Sequence, residues 1–295
     1  MTPPRCVYAL FPWFCRACAC GLAVALAGLF GFLLYRGLGT LGPSLLFGEA
    51  DPWRAMWLRV AVMEGLWPAC LGTLGLLGLT CLFAVPVGIA AGVCLAEYAT
   101  GRTKAGLTFC VDLLASIPSV LMGLFGFTLV LFLRRTILPA ANTCLLLAAG
   151  CLALLVLPYL VSATQKSLES LPQSLRLIGP SLGLGHGRTI RHILLPAAAR
   201  SILAGVILAV GRAAEDTAVI LLTGVVANAG APAGLTGKFE ALPFTIYYLA
   251  AQYQTPQELD RGFGAAIVLL ALTGSLFAGA HLLHATLRRR WRDCP

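Results

Sequence analysis

The segment ILAGVILAVGRAAEDTAVILLTG, residues 202–224, is apolar and long enough to cross a membrane, yet it carries three ionisable residues near its middle. These residues are Arg212, Glu215 and Asp216. At the centre of a membrane-spanning helix each costs about 2.5 to 3.5 kcal/mol on insertion scales, so a partner, a cavity or a ligand has to offset that cost. The segment therefore predicts a span on an ion pathway, with a structural ion pair between two helices as the alternative.

The composition indicates a membrane protein. Apolar residues make up 59% of the 295 positions and charged residues only 11%, whereas a soluble domain carries about 25% charged residues. The net charge is +9, but the basic residues lie at the ends of the apolar segments and form neither a basic face nor a nucleic-acid motif. We therefore expect no nucleic-acid partner.

Six apolar segments are long enough to cross a hydrocarbon core, which takes about 20 helical residues. The first is too long for a removable signal peptide and is predicted to be a retained anchor. Gly88 and Gly92 in the second predict close packing inside the bundle. Most Lys and Arg residues fall on inner segments if both termini are cytoplasmic, which predicts that orientation. The six spans are placed at 14–35, 68–96, 107–133, 142–163, 199–224 and 263–287.

The third span contains Ser116-Ile117-Pro118-Ser119 near its middle. Proline removes a backbone hydrogen bond and clashes with the preceding turn, so we expect a kink or a break there. A half-helix that begins near Ser119 would direct its amide groups at whatever fills an adjoining cavity. The alternative is a kink that serves packing alone.

The polar segment 172–201 lies between the fourth and fifth spans. Pro172 predicts the start of a short helix, which should end near Gly179 or Gly183. After Gly183 come nine residues and then the sequence ILLP at 193–196. An amphipathic loop of this size on the inner face is typical of a docking element for a cytoplasmic partner, and an ordinary solvated loop is the alternative.

That spacing resembles the loop signature of ABC-importer permeases, which reads E-A-A, three residues, G, nine residues, I, one residue, L-P. The positions of the triplet hold Leu177, Ile178 and Gly179 instead. In that family the loop forms a coupling helix that seats in the ATPase subunit. The loop of this chain keeps Arg176, Arg188 and Arg191, which are expected to meet acidic partners. The resemblance implies a coupling loop at 164–198 that includes Arg176, Leu177, Gly183, Arg188, Ile193, Leu195 and Pro196.

From residue 65 onward the chain resembles the PstA-type permeases of bacterial phosphate importers. In that family the fifth span usually reads R-A-x-G-E-T-A, with its Arg and Glu implicated in the phosphate path. Arg212 and Thr217 match this pattern, Asp216 replaces the Glu, and Glu215 replaces the Gly. The stretches that carry the resemblance are 65–99, 117–126, 211–224 and 241–250.

The resemblance implies an all-α membrane protein with six transmembrane helices, a type I ABC-importer permease bundle and cytoplasmic termini. It divides the chain into an anchor span with an outer interfacial segment (1–64), a permease domain (65–290) and a cytoplasmic tail (291–295). The implied function is import of inorganic phosphate by alternating access in the bacterial inner membrane. A permease for sulfate or molybdate and, less favoured, a membrane-embedded enzyme are the alternatives.

The implied partners are a related PstC-like permease as heterodimer, two PstB-like ATPases, a PstS-like phosphate-binding protein and membrane lipid. The sequence has no G-x-x-x-x-G-K-[S/T] motif, so ATP is expected to be hydrolysed by the separate ATPase subunit. No cofactor and no metal is expected to be bound by this chain. The C-x-x-C-x-C cluster at Cys15, Cys18 and Cys20 admits a metal site, but no second ligand pair lies nearby in sequence.

The substrate pathway is assigned to side chains that suit an oxyanion. Arginine offers a planar fork of donors that matches phosphate oxygens. Asp216 follows Arg212 by four residues and is predicted to share its helix face. One arginine beside two carboxylates leaves a net negative charge, so a cation from a sister permease, or a proton on one carboxylate, is expected to compensate. The residues assigned to the pathway are Arg212, Glu215, Asp216, Thr217, Ser116 and Ser119.

Overall fold

The computed structural model describes residues 5–48, 65–137, 139, 141–227, 229–232 and 234–292, with side chains from residue 12 to residue 282. This part of the chain is almost wholly helical, and its β contact is a single bridge between Val225 and Phe239. Two π-helical turns, Cys94–Tyr98 and Ile190–Leu194, interrupt the α-helical geometry. The helices are α1 Arg5–Gly37, α2 Pro43–Phe47, α3 Trp67–Val93, α4 Gly101–Ser116, α5 Ser119–Thr136, α6 Leu145–Glu169, α7 Gln173–Ser181, α8 His186–Thr189, α9 Leu195–Glu215, α10 Ala218–Thr223, α11 Leu242–Gln252 and α12 Pro256–Arg292.

Among the described residues, six helical stretches are long and apolar enough to cross a membrane, which confirms the predicted number of spans. The predicted outer interfacial segment falls mostly on 49–64, outside the described residues. The cytoplasmic placement of the termini stays a prediction. The six stretches are Pro12–Thr40, Trp67–Tyr98, Ser119–Thr136, Leu145–Glu169, His186–Glu215 and Pro256–Leu282.

Helix α6 lies at the centre of the bundle, since 61% of the residues in its most apolar 18-residue stretch are buried. Helix α3 lies directly against it. A Cβ atom added to Gly88 would lie 2.6 Å from Cβ of Leu160, and one added to Gly92 would lie 2.5 Å from Cβ of Thr164. Small residues permit this approach where no hydrophobic force drives helices together. The predicted close packing of the second span is confirmed.

Helix α1 lies at the edge of the bundle and packs against α12. Nε of Arg36 lies 2.7 Å from Oδ1 of Asp260, and Gly37 leaves room for the backbone of Phe263. In the most apolar 18-residue stretch of α1, no residue is buried by the rest of this chain. Helix α1 is therefore peripheral to the bundle.

The start of α6 is closed by the loop between α10 and α11. The first amides of a helix have no partner within it, and here Leu145 and Leu146 donate to the carbonyls of Gly237 and Leu235 at 3.1 and 2.9 Å. The loop is fixed to α3 as well, because the amide of Leu242 donates to the hydroxyl of Thr73 at 2.9 Å. The loop therefore holds α3 and α6 in register at one end of the bundle.

Candidate functional site

The third predicted span is broken in two. Helix α4 ends at Ser116 and α5 begins at Ser119, with Ile117 and Pro118 extended between them at ψ angles of 123° and 139°. Proline has no N–H with which to continue the first helix, and its ring disfavours helical geometry in the residue before it. The predicted break and the predicted half-helix from Ser119 are confirmed.

The fifth predicted span is broken as well, and the prediction of one continuous helix over 199–224 is wrong. Helix α9 ends at Glu215, Asp216 is extended with ψ of 111°, and α10 begins at Ala218. Oδ1 of Asp216 accepts a hydrogen bond from the amide of Val219 at 2.9 Å. Asp favours helix starts because its side chain takes a free amide of the first turn. An Asp-Thr pair ahead of an apolar run is the sequence signal for this break.

Arg212 and Asp216 do not share a helix face, so that prediction is also wrong, because α9 ends between them. The guanidinium of Arg212 lies over the ring of Tyr159 in α6, with Cζ 4.9 Å from the ring centroid. Such a cation is attracted by the ring quadrupole. Among the described residues, no ion pair joins Arg212 to Glu215 or Asp216. The sequence prediction did not include Tyr159, and a polar-tipped aromatic within an apolar span is the signal that could have found it.

The two half-helices α5 and α10 pack side by side. A Cβ atom added to Gly123 would lie 2.9 Å from the carbonyl oxygen of Ala218, and one added to Gly126 would lie 2.7 Å from Cγ2 of Thr223. These glycines let the two helices approach to backbone contact. The order of the contacts shows that the helices run in the same direction and start at neighbouring levels. The two breaks therefore belong to one region of the bundle.

The residues assigned to the pathway differ in accessibility. Arg212, Glu215 and Ser116 are exposed, while Ser119, Asp216 and Thr217 are half-buried. The hydroxyl of Ser116 donates to the carbonyl of Leu113 at 2.7 Å and so serves its own helix. The exposed guanidinium and carboxylate open the broken region to a side of the bundle that this chain leaves uncovered.

The predicted coupling loop is built from α7, α8 and the π-helical turn Ile190–Leu194. Helix α7 begins directly after Pro172 and ends at Ser181. Two residues further on, Gly183 has a φ of +71°, which favours glycine. The amide of Leu184 donates to the carbonyl of Gly179 at 2.9 Å, which closes the helix end. The predicted helix start is confirmed, and so is the predicted end near Gly183.

The last part of the signature, at 193–196, joins the loop to α9. Ile193 and Leu195 pack on one buried cluster, while Pro196 is half-buried in the first turn of α9. The cluster itself consists of Leu168, Ile190, Leu194, Ala198 and Ile202.

Arg176 is bound within the chain rather than left for an acidic partner. Its Nη1 atom donates to both carboxylate oxygens of Glu97, and its Nη2 atom donates to the carbonyl of Leu168 at 2.9 Å. Arg188 is exposed, and so is Leu177, with 66% of its surface accessible. The face that the loop offers to a partner therefore combines exposed leucine with arginine.

The cysteines and histidines form no shared site in the described part of the chain. Cys15, Cys18 and Cys20 are free, exposed thiols along α1. No group of three or more His, Cys, Asp or Glu side chains among the described residues is placed to hold a metal ion. Within the described part of the chain, the C-x-x-C-x-C cluster therefore meets no further ligand.

A membrane bundle with two helices broken at neighbouring levels, and a polar loop that joins two of its spans, is suited to passing a solute. Its architecture is that of a type I ABC-importer permease. Residues 84–293 match the family described as "Binding-protein-dependent transport system inner membrane component", and the chain belongs to that family. It is therefore a multi-pass inner-membrane protein that works in a complex with an ATPase and a binding protein, and it is a transport component rather than an enzyme.

The chain is also similar to individual transport proteins and to one solved transporter structure. It is 32% identical over 230 residues to the phosphate transport system permease protein PstA 1 of Mycobacterium tuberculosis, which covers 77% of this chain and 72% of that relative. It is 30% identical over 209 residues to the probable ABC transporter permease protein YqgI of Bacillus subtilis, covering 70% of this chain and 66% of the relative. In a native crystal form of the inward-facing MetNI methionine ABC transporter, one chain matches with a TM-score of 0.56 at 19% identity, covering 75% of this chain and 96% of that one. This last likeness concerns the fold alone.

Proposed function

We propose that this chain is the permease subunit of an importer that moves inorganic phosphate into the cytoplasm by alternating access. The observation that carries the proposal is the position of Arg212, exposed one turn before the break between α9 and α10. Relatives at about 30% identity that bear the name of phosphate transport permeases support the choice of phosphate.

The contact between Arg212 and Tyr159 suits an oxyanion. A cation–π contact is an attraction between the charge and the ring, and it uses none of the N–H donors of the guanidinium. Those donors match two oxygens of a phosphate at once. Tyr159 would therefore orient the arginine without using the groups that bind the substrate.

The charge of the region calls for a second cation. Arg212 stands with two carboxylates, those of Glu215 and Asp216, in the same region of the chain, and a surplus of negative charge repels phosphate. One carboxylate oxygen of Asp216 already accepts a hydrogen bond from the Val219 amide. Because Arg212 and Glu215 face an uncovered side of the bundle, a PstC-like permease in a heterodimer would complete the pathway with a cation of its own.

The coupling loop and the outer segment between α10 and α12 suit the two remaining partners, the ATPase and the binding protein. The coupling loop at 164–198 exposes Leu177 and Leu182, with 66% and 69% of their surfaces accessible, although it is polar overall. Apolar side chains in such a loop fit the groove of a PstB-like ATPase, which would hydrolyse the ATP. The outer segment 225–262 would meet a PstS-like phosphate-binding protein on the other side of the membrane.

Labelled phosphate uptake tests the proposal in cells that lack this chain. Expression of the native protein should restore uptake, and Arg212→Gln should abolish it while the protein remains in the membrane. Arg135→Gln is the matched control, because Arg135 is an exposed arginine at the end of α5, away from the break, and it should leave uptake unchanged.

Labelled sulfate and molybdate should be measured in the same cells. Restored uptake of either one without phosphate would reject phosphate as the substrate while leaving the permease assignment intact. Normal phosphate uptake by Arg212→Gln would show that the pathway lies elsewhere.

A further inference from the structure

The last turn of the second span is π-helical, over Cys94–Tyr98. The amide of Ala99 donates to the carbonyl of Cys94 at 2.9 Å, one residue further back than in an α-helix. Single π-helical turns within α-helices occur frequently at functional sites. Neither the substrate pathway nor the loop signature explains this turn, which lies where α3 ends and the chain turns towards α4.

The turn carries a buried carboxylate that the coupling loop holds. Only 3% of the Glu97 side chain is exposed. Nη1 of Arg176 donates to its two oxygens at 2.5 and 2.6 Å, and Nη2 of the same arginine donates to the carbonyl of Leu168. A buried carboxylate without such a partner is strongly unfavourable. Arg176 therefore ties α7 to the ends of both α3 and α6.

The same turn also contacts the second short helix of the loop. The ring of Tyr98 stands edge-on to that of His186 in α8, with centroids 5.1 Å apart and planes at 83°. The two short helices are packed on each other at Gly179, where an added Cβ atom would collide with Thr189. The coupling loop therefore behaves as one body that touches the π-helical turn through both of its helices.

Helix α3 leads from this turn to the substrate pathway. Nearer the middle of the bundle, Ala84 of α3 belongs to one buried cluster with Ala213 and Ala214 of α9, and these two residues follow Arg212 directly. Closely packed helices shift against each other as rigid elements rather than deforming continuously. A displacement of the end of α3 would thus shift Ala213 and Ala214, the residues beside Arg212.

We propose that the ion pair between Glu97 and Arg176 is the link through which movement of the coupling loop reaches the substrate pathway. Both are positioning residues, since neither touches the substrate. Arg176 is half-buried, and its guanidinium is bound to Glu97 and Leu168 rather than left for the ATPase. This inference rests on the proposed docking of the loop to a separate ATPase subunit.

The test uses the purified complex of permease, partner permease and ATPase in lipid nanodiscs. Ser119→Cys is introduced as a reporter at the start of α5, and its alkylation rate is measured by peptide mass spectrometry with and without ATP and vanadate. The variants are Glu97→Gln and the conservative Arg176→Lys. The matched control is Lys104→Gln, which removes the nearby ion pair of Lys104 with Glu169 at the end of α6 (2.7 Å) and leaves the contacts of α7 and α8 with the π-helical turn in place.

The native complex and Lys104→Gln should both show a severalfold change in alkylation on addition of ATP. Glu97→Gln should assemble and hydrolyse ATP but lose most of that change, and Arg176→Lys should retain part of it. An undiminished change in Glu97→Gln, or no change in the native complex, would overturn the inference. Failure of both Glu97→Gln and Arg176→Lys to assemble would show a folding contact and overturn it too. Because the reporter needs no transported solute, this result is independent of whether the complex carries phosphate.

Discussion

Oδ1 of Asp216 lies 2.9 Å from the amide nitrogen of Val219 and accepts its hydrogen bond. The contact spans the break between α9 and α10 and replaces the hydrogen bond that a continuous helix would give to that amide. An acidic residue in the middle of an apolar segment thus has a structural task that sequence alone did not suggest. Substitutions of Asp216 can separate the effect of its charge from the effect of its capping oxygen.

Asp216→Ala should destabilise the protein by about 1 kcal/mol, the usual cost of removing a side-chain cap. Asp216→Asn should cost much less, since the asparagine oxygen can accept the same hydrogen bond. The midpoint of unfolding in detergent, followed by circular dichroism, distinguishes the two. Equal midpoints for the two variants would contradict the capping role.

Asp216→Asn also isolates the charge. Hydrogen phosphate carries a proton that sulfate lacks at neutral pH, and a carboxylate acceptor can select for that proton. If Asp216 faces the substrate, the asparagine variant should keep its fold and lose much of the preference for phosphate over sulfate in competition uptake assays. An unchanged preference would assign Asp216 to capping alone.

Tyr159→Leu should weaken phosphate transport because it removes the ring beneath Arg212. A cation–π contact at an exposed site contributes about 0.5 to 1 kcal/mol, which corresponds to about a two- to fivefold rise in KM. The control is Tyr159→Phe, which retains the ring and should retain the native KM. A rise of the same size in the phenylalanine variant would point to the hydroxyl instead of the ring. The concentration dependence of labelled phosphate uptake gives the measurement.

Much of the fold follows from apolar segment length and from two residue types. The six spans are readable because each needs about 20 apolar residues, and the break at Pro118 follows from the missing N–H of proline. Gly183 likewise predicted the end of α7. This glycine takes a left-handed conformation just beyond the helix. Each of these signals is local, so the sequence carries it without knowledge of the tertiary structure.

The candidate site was less predictable because its contacts are made between distant segments. Arg212 stood out as a charge in an apolar run, but its contact with Tyr159 joins helices that lie far apart in sequence. The spacing of Arg212 and Asp216 suggested one helix face, and the break between them removed it. Arg176 looked like a surface residue because the burial of its partner Glu97 depends on three helix ends that meet only in the folded chain.

Gly92→Ala should destabilise the bundle, by about 1 to 3 kcal/mol for overpacking. The new methyl group would lie 2.5 Å from Cβ of Thr164 and 2.8 Å from the carbonyl oxygen of Val161, a backbone atom that cannot move aside easily. Gly78→Ala on the same helix is the matched control, because nothing lies within 4 Å of the added atom. That variant should be neutral or stabilising. Thermal unfolding in detergent compares the two, and equal melting temperatures would contradict the close packing of α3 on α6.

Glu240 should make the stability of the loop at 225–241 depend on pH. Burial raises the pKa of its carboxyl above the usual value near 4.5, while hydrogen bonds from the amides of Gly230 and Ala229 act in the opposite direction. Since the pKa is higher in the folded state, the folded protein binds the proton more tightly, and this contribution to stability is fully present only below the unfolded value. It is lost as the pH rises through the folded pKa. Stability should therefore fall as the pH increases from the unfolded value across this window.

The comparison that checks this is native protein against Glu240→Gln, with the melting temperature measured between pH 4.5 and neutral pH. Glutamine keeps an acceptor for the Gly230 amide, whose distance to Oε1 of Glu240 is 2.7 Å, but it does not titrate. The native protein should lose stability relative to the variant as the pH rises through the window, and the difference should then level off. A difference that stays constant across the range would mean that Glu240 has the same pKa in the folded and unfolded states. A difference of opposite sign would mean that the amide hydrogen bonds outweigh burial.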